Sequence, residues 1–410
     1  MEFKEFSLDE RLLEGIDAIG FTEATPIQDE VIPLIMQGHD VIASAQTGTG
    51  KTAAFLLPII HKIITGGGQD NQVKALIIVP TRELAVQIDQ QMEGLSYFTP
   101  VSSIAVYGGT GGESFAQEKK ALSKGADVII GTPGRLIAHL MMGYVNISEL
   151  KYLILDEADR MLDMGFFDDI MKIISYLPEK RQNLLFSATM PQKIRVLAKK
   201  VLHDPKEISI AMSKPAEKIL QLAYVVYKKQ KIPLVVYLLQ SKQLRSVLIF
   251  CSTKSSTKEL SKTLHKKGIK VADIHSDHDQ KKREEALRSF KARRINVLVA
   301  TDILSRGIDI EDIDMVINFD VPNDGEDYIH RIGRTARAEA DGVAVTLIDE
   351  DSQRDFADIE RLLGEPVYKS QVPKELGDTP EYKPEKRRPY QKRRFSGKKK
   401  FNSGKKRFKK

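Results

Sequence analysis

A chain of 410 residues is longer than one hydrophobic core usually supports, so two domains of ordinary size plus an extension are expected. Hydrophobic residues make up 41 %, no apolar run approaches the roughly 18 to 20 residues of a bilayer span, and the acidic start MEFKEFSLDE has no apolar signal core; a cytoplasmic protein is the reading these favour. The net charge of +7 is uneven: residues 381–410 hold 15 of the 63 Lys and Arg and 2 of the 56 Asp and Glu, leaving residues 1–380 with 48 basic and 54 acidic side chains.

In chain order, short β-branched runs alternate with helix-length patterns. The first half carries DVIASA (40–45), KALIIVP (74–80), SSIAVYGG (102–109), ADVIIGTP (126–133), YLILDEAD (152–159) and NLLFSAT (183–189). The second carries SVLIFCST (246–253), KVADIH (270–275), INVLVATD (295–302), DMVINFD (314–320) and GVAVTLID (342–349). Stretches such as TRELAVQIDQQMEGL and KKREEALRSFKA between them read as helices. Regular alternation predicts parallel sheets covered on both faces, and two series of runs predict two α/β domains. The polar stretch SIAMSKPAEK (209–218) is the natural linker. The single cysteine, Cys251, excludes an internal disulfide, and no Cys/His cluster shows metal-ligand spacing, so a zinc-free protein is expected.

Open parallel sheets place their ligands at the C-terminal ends of the strands, and the first strand ends in AQTGTGKT (45–52). Glycines at 48 and 50 let backbone N–H groups wrap a phosphate, Lys51 reaches the outer phosphates, and the Thr52 hydroxyl suits Mg²⁺. The generic pattern has Gly where this chain has Ala45. A second strand ends in Asp156, Glu157 and Asp159. At the tip of a neighbouring strand, Asp156 would hold the metal and Glu157 would orient and deprotonate the attacking water. Asp159 is placed to tie this loop to SAT (187–189). Alone, YLILDEAD reads as a strand followed by a helix cap and surface acids; paired with AQTGTGKT it reads as an ATP-hydrolysing site.

With these motifs the chain resembles the DEAD-box ATP-dependent RNA helicases, of the bacterial RhlE-like kind, over about residues 1–365. The match includes the Q-motif segment FKEFSLDERLLEGIDAIGFTEATPIQ, PTRELAVQ (80–87), Gly108-Gly109, TPGR (132–135), SAT, ATDILSRGIDI (300–310) and HRIGRTAR (330–337). Ala24, Ser276 and Ala336 depart from the commoner Pro, Gly and Gly of the family. The resemblance implies two tandem RecA-like P-loop domains. It divides the chain into a Q-motif segment (1–31), an ATP-binding domain (32–208), the linker (209–218), a C-terminal domain (219–370) and a disordered basic tail (371–410).

By resemblance, ATP is held by Phe3, Phe21, Thr25 and Gln28, by Ala45, Gln46, Thr47, Gly48, Thr49, Gly50, Lys51 and Thr52, and by Gly307 and Asp309 of the second domain. Thr52 and Asp156 hold Mg²⁺, and Arg334 and Arg337 act as arginine fingers beside Lys51, Thr52, Asp156 and Glu157. RNA runs along Pro80, Thr81, Arg82, Gly108, Gly109, Thr132, Pro133, Gly134, Arg135, Thr253 and Thr301, contacted through its sugar-phosphate backbone without sequence reading. Asp159, Ser187, Thr189 and His330 couple the two ligands. Each short string alone has a plain meaning as loop, turn or basic helix; their joint order at strand ends carries the resemblance.

The expected activity is ATP-dependent, local, non-processive RNA unwinding or ribonucleoprotein remodelling. An ATP-gated RNA clamp or RNA chaperone with little unwinding is the alternative, and a DNA translocase on the same scaffold is a third class. The tail sets Tyr382, Tyr390, Phe395, Phe401 and Phe408 between basic clusters and is expected to add non-specific RNA affinity through phosphate contacts and base stacking.

Overall fold

Alternate residues of each central strand bury against opposite layers. Val41, Ala75, Ile77, Val128, Ile130 and Ile154 join one core, while Ile42, Leu76, Ile78, Ile129, Leu153 and Leu155 join another. Strands apolar at every position have no solvent face to offer, so helices must cover both sides. The computed structural model describes residues 1–384 apart from 46–48, 68–71, 109–111, 211–218, 242–243, 302–312, 323–324 and 336–341. Among the described residues no helix is long and apolar enough to cross a membrane.

The first sheet contains β1 (Val41–Ser44), β2 (Ala75–Ile78), β3 (Ser103–Val106), β4 (Val128–Gly131), β5 (Tyr152–Leu155), β6 (Gln182–Ser187) and β7 (Lys206–Ser209). The second contains β8 (Ile219–Val225), β9 (Val247–Cys251), β10 (Val271–Ile274), β11 (Val297–Thr301), β12 (Met315–Asn318), β13 (Gly342–Ile348) and β14 (Tyr368–Lys369). Every pairing within the two sheets is parallel. The spatial orders are β3-β4-β2-β5-β6-β1-β7 and β10-β11-β9-β12-β13-β8-β14. Shifted by seven strands the two orders coincide, so one winding pattern is used twice. All eleven expected strands form.

The differences from the sequence reading have physical causes. β7 is largely exposed, and β14 is two residues long, so neither shows an apolar run. β8, ILQLAYV, is apolar without clear alternation and follows a polar stretch, which hid it. The expected linker begins too early, because Ser209 closes β7 and Ile210 N–H donates to Ser44 O (2.9 Å); residues 211–218 lie outside the described residues. The strands of the two ATP motifs are not neighbours: β6 lies between β1 and β5.

The expected tail also begins too early, because residues 371–384 form a strap on the second domain. Gln230 Nε2 donates to Leu376 O (2.8 Å) and Asp378 O (2.9 Å), Gln353 Nε2 donates to Glu381 O (2.9 Å), and the Tyr382 hydroxyl donates to Glu360 Oε2 (2.7 Å). The Tyr382 ring packs edge-on against Phe356. Tyr382 is thus a packing residue, not part of an RNA-stacking series. Two buried glutamines satisfy backbone carbonyls here, a signal that composition does not carry. The remaining tail, 385–410, lies outside the described residues.

Candidate nucleotide and RNA site

β1 delivers Ala45 to the P-loop, anchored by Ala45 N–H donating to Ser187 O (3.1 Å). Gly50 caps the helix Lys51–Thr65 at φ 91°, a left-handed conformation that favours glycine. Its carbonyl accepts from Gln28 Nε2 (3.1 Å), while Gln28 Oε1 accepts from Thr25 N–H (2.9 Å). A Cβ at Gly50 would lie 2.5 Å from Gln28 Nε2 and 2.9 Å from Thr25 Oγ1. The Q-motif amide therefore braces the P-loop as well as standing beside it. Behind it, Phe3 is buried and stacks on half-buried Phe21, with ring centres 6.3 Å apart. Phe3 supports Phe21 from the core, whereas the sequence reading put both on the nucleotide.

Lys51 is buried and donates from Nζ to Ala45 O (2.6 Å), which aims its charge across the loop mouth. Thr52 is half-buried beside it, and Thr49 opens the described end of the loop. Asp156, at the end of β5, is 3 % exposed. Burial pushes its carboxyl up to about 7 against the opposing pull of Lys51. A carboxylate so buried lacks a full counter-charge. A carboxylate and a hydroxyl are both oxygen donors of the kind a hard divalent cation such as Mg²⁺ prefers.

Glu157 takes a left-handed backbone (φ 49°, ψ 49°), rare for a residue with a side chain and typical of functional strain. Its Oε2 accepts from Arg160 Nη1 (3.0 Å). Burial pushes Glu157 up, but Arg160, Lys51 and, from the second domain, His330 outweigh it and hold the carboxyl below its ordinary value. Two adjacent carboxylates are thus pushed in opposite directions, the separation that distinguishes acid, base and ligand roles. Arg160, 5 % exposed, was not anticipated; in the sequence it is one more charged residue in a helix.

Asp159 Oδ2 accepts from the N–H groups of Ala188 and Thr189 (both 3.0 Å), and Ser187 Oγ donates to Thr189 O (2.7 Å). The carboxylate loop and SAT are thereby one hydrogen-bonded unit, as the spacing suggested. On the second domain His330 lies in the last turn of the helix Gly325–Ile332, and Arg334 sits half-buried in the turn Gly333–Thr335 that follows. Gln46, Thr47, Gly48, Gly109, Gly307, Asp309 and Arg337 lie outside the described residues.

Three of the residues assigned to RNA, Thr81, Thr132 and Thr253, share a placement: a threonine between a strand and the helix that it opens. Thr81 Oγ1 accepts from Leu84 N–H (3.3 Å) at the start of Arg82–Leu95, and Thr253 Oγ1 accepts from Ser256 N–H (3.1 Å) at the start of Lys254–Lys266. Thr132 precedes the helix Pro133–Met141, whose first residues include exposed Gly134. Helix N-termini favour anions, so these starts suit phosphates. Pro80 is buried, Gly108 and Thr301 are half-buried at the ends of β3 and β11, and Arg82 is half-buried with its pKa lowered by burial and by Arg283. Arg135 is held by Glu118 Oε2 (2.6 Å) and lies over Phe115; His139 Nε2 reaches the same carboxylate oxygen (2.7 Å). Burial pushes Glu118 up, and His139 and Arg135 outweigh it. Glu118 and His139 were missed, since nothing in their strings marks them as supports of an arginine.

Across the domains, Arg283 Nη2 meets Glu83 Oε1 at 2.9 Å, with both side chains about a tenth exposed. Among the described residues the second domain shows no phosphate loop of its own. Where β8 leads into its helix, buried Lys231 pairs with Asp349 (2.8 Å) and Asp320 (3.2 Å), filling with protein charge the place that corresponds to the P-loop lysine and β5 carboxylate.

A nucleotide loop and acidic strand end on one sheet, facing a second sheet of the same winding, define a two-domain P-loop NTPase. The family models describing the DEAD/DEAH box helicase and the helicase conserved C-terminal domain match residues 25–197 and 230–339. The chain is 44 % identical over 348 residues to the ATP-dependent RNA helicase CshA of Listeria monocytogenes, covering 85 % of this chain and 66 % of the relative. It is 41 % identical over 347 residues to the DEAD-box ATP-dependent RNA helicase CshA of Geobacillus kaustophilus, covering 84 % and 73 %. The structure of S. cerevisiae Dbp5 bound to RNA and ADP BeF3 superposes with a TM-score of 0.81 at 30 % identity, over 90 % of this chain and 95 % of that one. The chain belongs to the DEAD-box family of ATP-dependent RNA helicases.

Proposed function

We propose that this protein couples ATP binding and hydrolysis to local, non-processive separation of RNA duplexes or remodelling of RNA–protein complexes. The observation that carries the reading is the division of the site. Lys51, Thr52, Asp156 and Glu157 lie on one domain, while His330 and Arg334 belong to the other, with His330 close enough to act on Glu157. Hydrolysis then requires the domains to meet, and an arginine finger is worth ~10³ to 10⁵ in rate.

Thr52 and Asp156 would hold Mg²⁺, which supplies charge neutralisation at the phosphates. Gln28 offers its amide to the adenine edge, and Phe21, backed by Phe3, offers a stacking face. Lys51 releases the Ala45 carbonyl to reach the outer phosphates. Glu157, kept ionised by Arg160, accepts the proton of the attacking water, and Arg334 meets charge developing on the opposite side. Asp159 passes any change at the carboxylate loop to Ser187 and Thr189. The helix starts at Thr81, Thr132 and Thr253 hold the RNA backbone across both domains. ATP and RNA therefore favour the same domain arrangement, which makes them cooperative.

The test is ATP hydrolysis with and without single-stranded RNA, for the native chain and Glu157→Gln. Stimulation by RNA that disappears in the variant while ATP still binds supports the reading; hydrolysis indifferent to RNA, or surviving the substitution, rejects it. Comparing RNA with DNA duplexes then separates a helicase from a DNA translocase through the 2′-hydroxyl.

A further inference from the structure

A second constellation of ligand-type side chains lies outside the nucleotide site, at the end of β10. Asp273 is the third residue of that strand, and His275 follows it by two, so the strand's alternation turns both to one face. The chain then folds back in a tight turn, with His278 N–H donating to His275 O (3.1 Å), before Asp279 caps the helix Gln280–Lys291. The turn brings the two imidazole rings to 3.9 Å between centres. Asp273 Oδ2 lies 3.0 Å from His275 Nε2 and 3.7 Å from His278 Nε2.

Aligned hydrogen bonds do not account for this arrangement. The other oxygen of Asp273, Oδ1, accepts from Ser261 Oγ (3.2 Å), whereas the buried His275 Nε2, although 3.0 Å from Asp273 Oδ2, makes no aligned hydrogen bond, and the buried His278 Nδ1 makes none. His275 is 1 % exposed. Ligand atoms of the three residues lie within 4.8 Å of one another. A tetrahedral ion with bonds of about 2.0 to 2.1 Å sets its ligands roughly 3.3 to 3.4 Å apart, between the two observed separations.

We propose that Asp273, His275 and His278 bind one divalent transition-metal ion of the zinc class, two imidazole nitrogens and one carboxylate oxygen serving as ligands and the fourth position remaining open to solvent. Asp273 and His278 are about a quarter exposed, which gives the ion a route in. Asp277 N–H now donates to His275 Nδ1 (3.2 Å), which places the neutral ring's proton on Nε2. An ion at Nε2 displaces that proton, and Nδ1 takes one up and gives up the bond from Asp277. One neutral hydrogen bond is exchanged for a coordination bond. Asp277 itself remains held by Lys254 (3.0 Å) and Lys258 (2.7 Å). The bound ion would pin the turn leading into the helix that carries Arg283, and so would stiffen the second domain where it meets Glu83.

The test uses the full-length chain, freed of metal by chelation and saturated with Mg²⁺ and ADP so that the nucleotide site is occupied. Co²⁺ is titrated while visible absorption is followed, and Zn²⁺ is then added as competitor. One equivalent of Co²⁺ with intense tetrahedral bands, displaced by Zn²⁺, is expected. His278→Ala and, separately, Asp273→Asn should each weaken binding at least about tenfold, with circular dichroism and thermal midpoint in the absence of metal unchanged. Absence of the bands in the native chain at millimolar Co²⁺, or equal binding in both variants, would overturn the proposal.

Discussion

Gly50 shows how much rests on one missing side chain. Its positive φ and the approach of Gln28 both forbid a Cβ, so Gly50→Ala must either distort the P-loop or expel the Gln28 amide. The left-handed backbone alone costs a side-chain-bearing residue roughly 1 to 2 kcal/mol. We expect the variant to unfold at a lower temperature and to lose ATP affinity by at least about tenfold, read by nucleotide titration and thermal melting; native-like affinity would show that the Gln28 brace is dispensable. The brace that Gln28 forms on Gly50 is visible only once the loop folds beside it. At Glu157 the same scale explains a strained backbone, because the strand must end with one carboxylate pointing back to Lys51 and the next to Arg160.

Among the elements, the two ends of the first sheet do different work. The C-terminal ends of β2, β4 and β5 carry the candidate site, while the N-terminal ends of β2, β3 and β4 are tied together by Asp127, which accepts from Ser102 N–H, Ser102 Oγ and Lys74 Nζ, all at 2.9 Å. Burial pushes Asp127 up, but Ser102 and Lys74 outweigh it and leave its folded pKa below the ordinary value. A depressed folded pKa stabilises fully above the unfolded value, near 4, and that stability is lost as pH falls through the folded value. Asp127→Asn should therefore cost about 1 to 3 kcal/mol at pH 7 in urea unfolding. The gap to wild type should narrow at pH 3, and ATP hydrolysis per folded molecule should be unchanged. A gap as wide at pH 3 as at pH 7 would exclude the carboxylate as its cause.

For the whole molecule, the Arg283–Glu83 pair offers a direct probe of domain closure. A double-mutant cycle with Arg283→Ala and Glu83→Ala, read in RNA-stimulated kcat/KM, should give a coupling of about 0.5 to 3 kcal/mol. Additive effects would mean that the two side chains do not meet in the working state. The strap at 371–384 also moves the boundary for dissecting the tail. Deleting 385–410 removes 14 Lys and Arg without touching Tyr382. RNA affinity should fall, and the slope of log affinity against log salt should flatten by about 0.7 for each phosphate that the tail neutralises, while RNA-free ATPase stays the same. An unchanged slope would remove the tail from the RNA interface.

The sequence by itself determined the alternation of strands and helices, and hence two parallel sheets, because strands apolar on both faces allow little else. It also determined the nucleotide and carboxylate motifs, since backbone wrapping, phosphate charge and metal ligation demand those residue types in local runs such as AQTGTGKT and DEAD. Contacts between residues far apart in the chain were decided only by tertiary structure: β6 between β1 and β5, Gln28 on Gly50, Glu118 under Arg135, Arg283 on Glu83 and the strap closed by Gln230 and Gln353. The spacing D-x-H-x-x-H at residues 273–278 passed unnoticed for the same reason, because a tight turn after a strand is needed to make its three side chains converge. Local motifs record what chemistry a loop can perform. Strand order and long-range hydrogen bonds, which depend on how the chain packs as a whole, determine which loops meet.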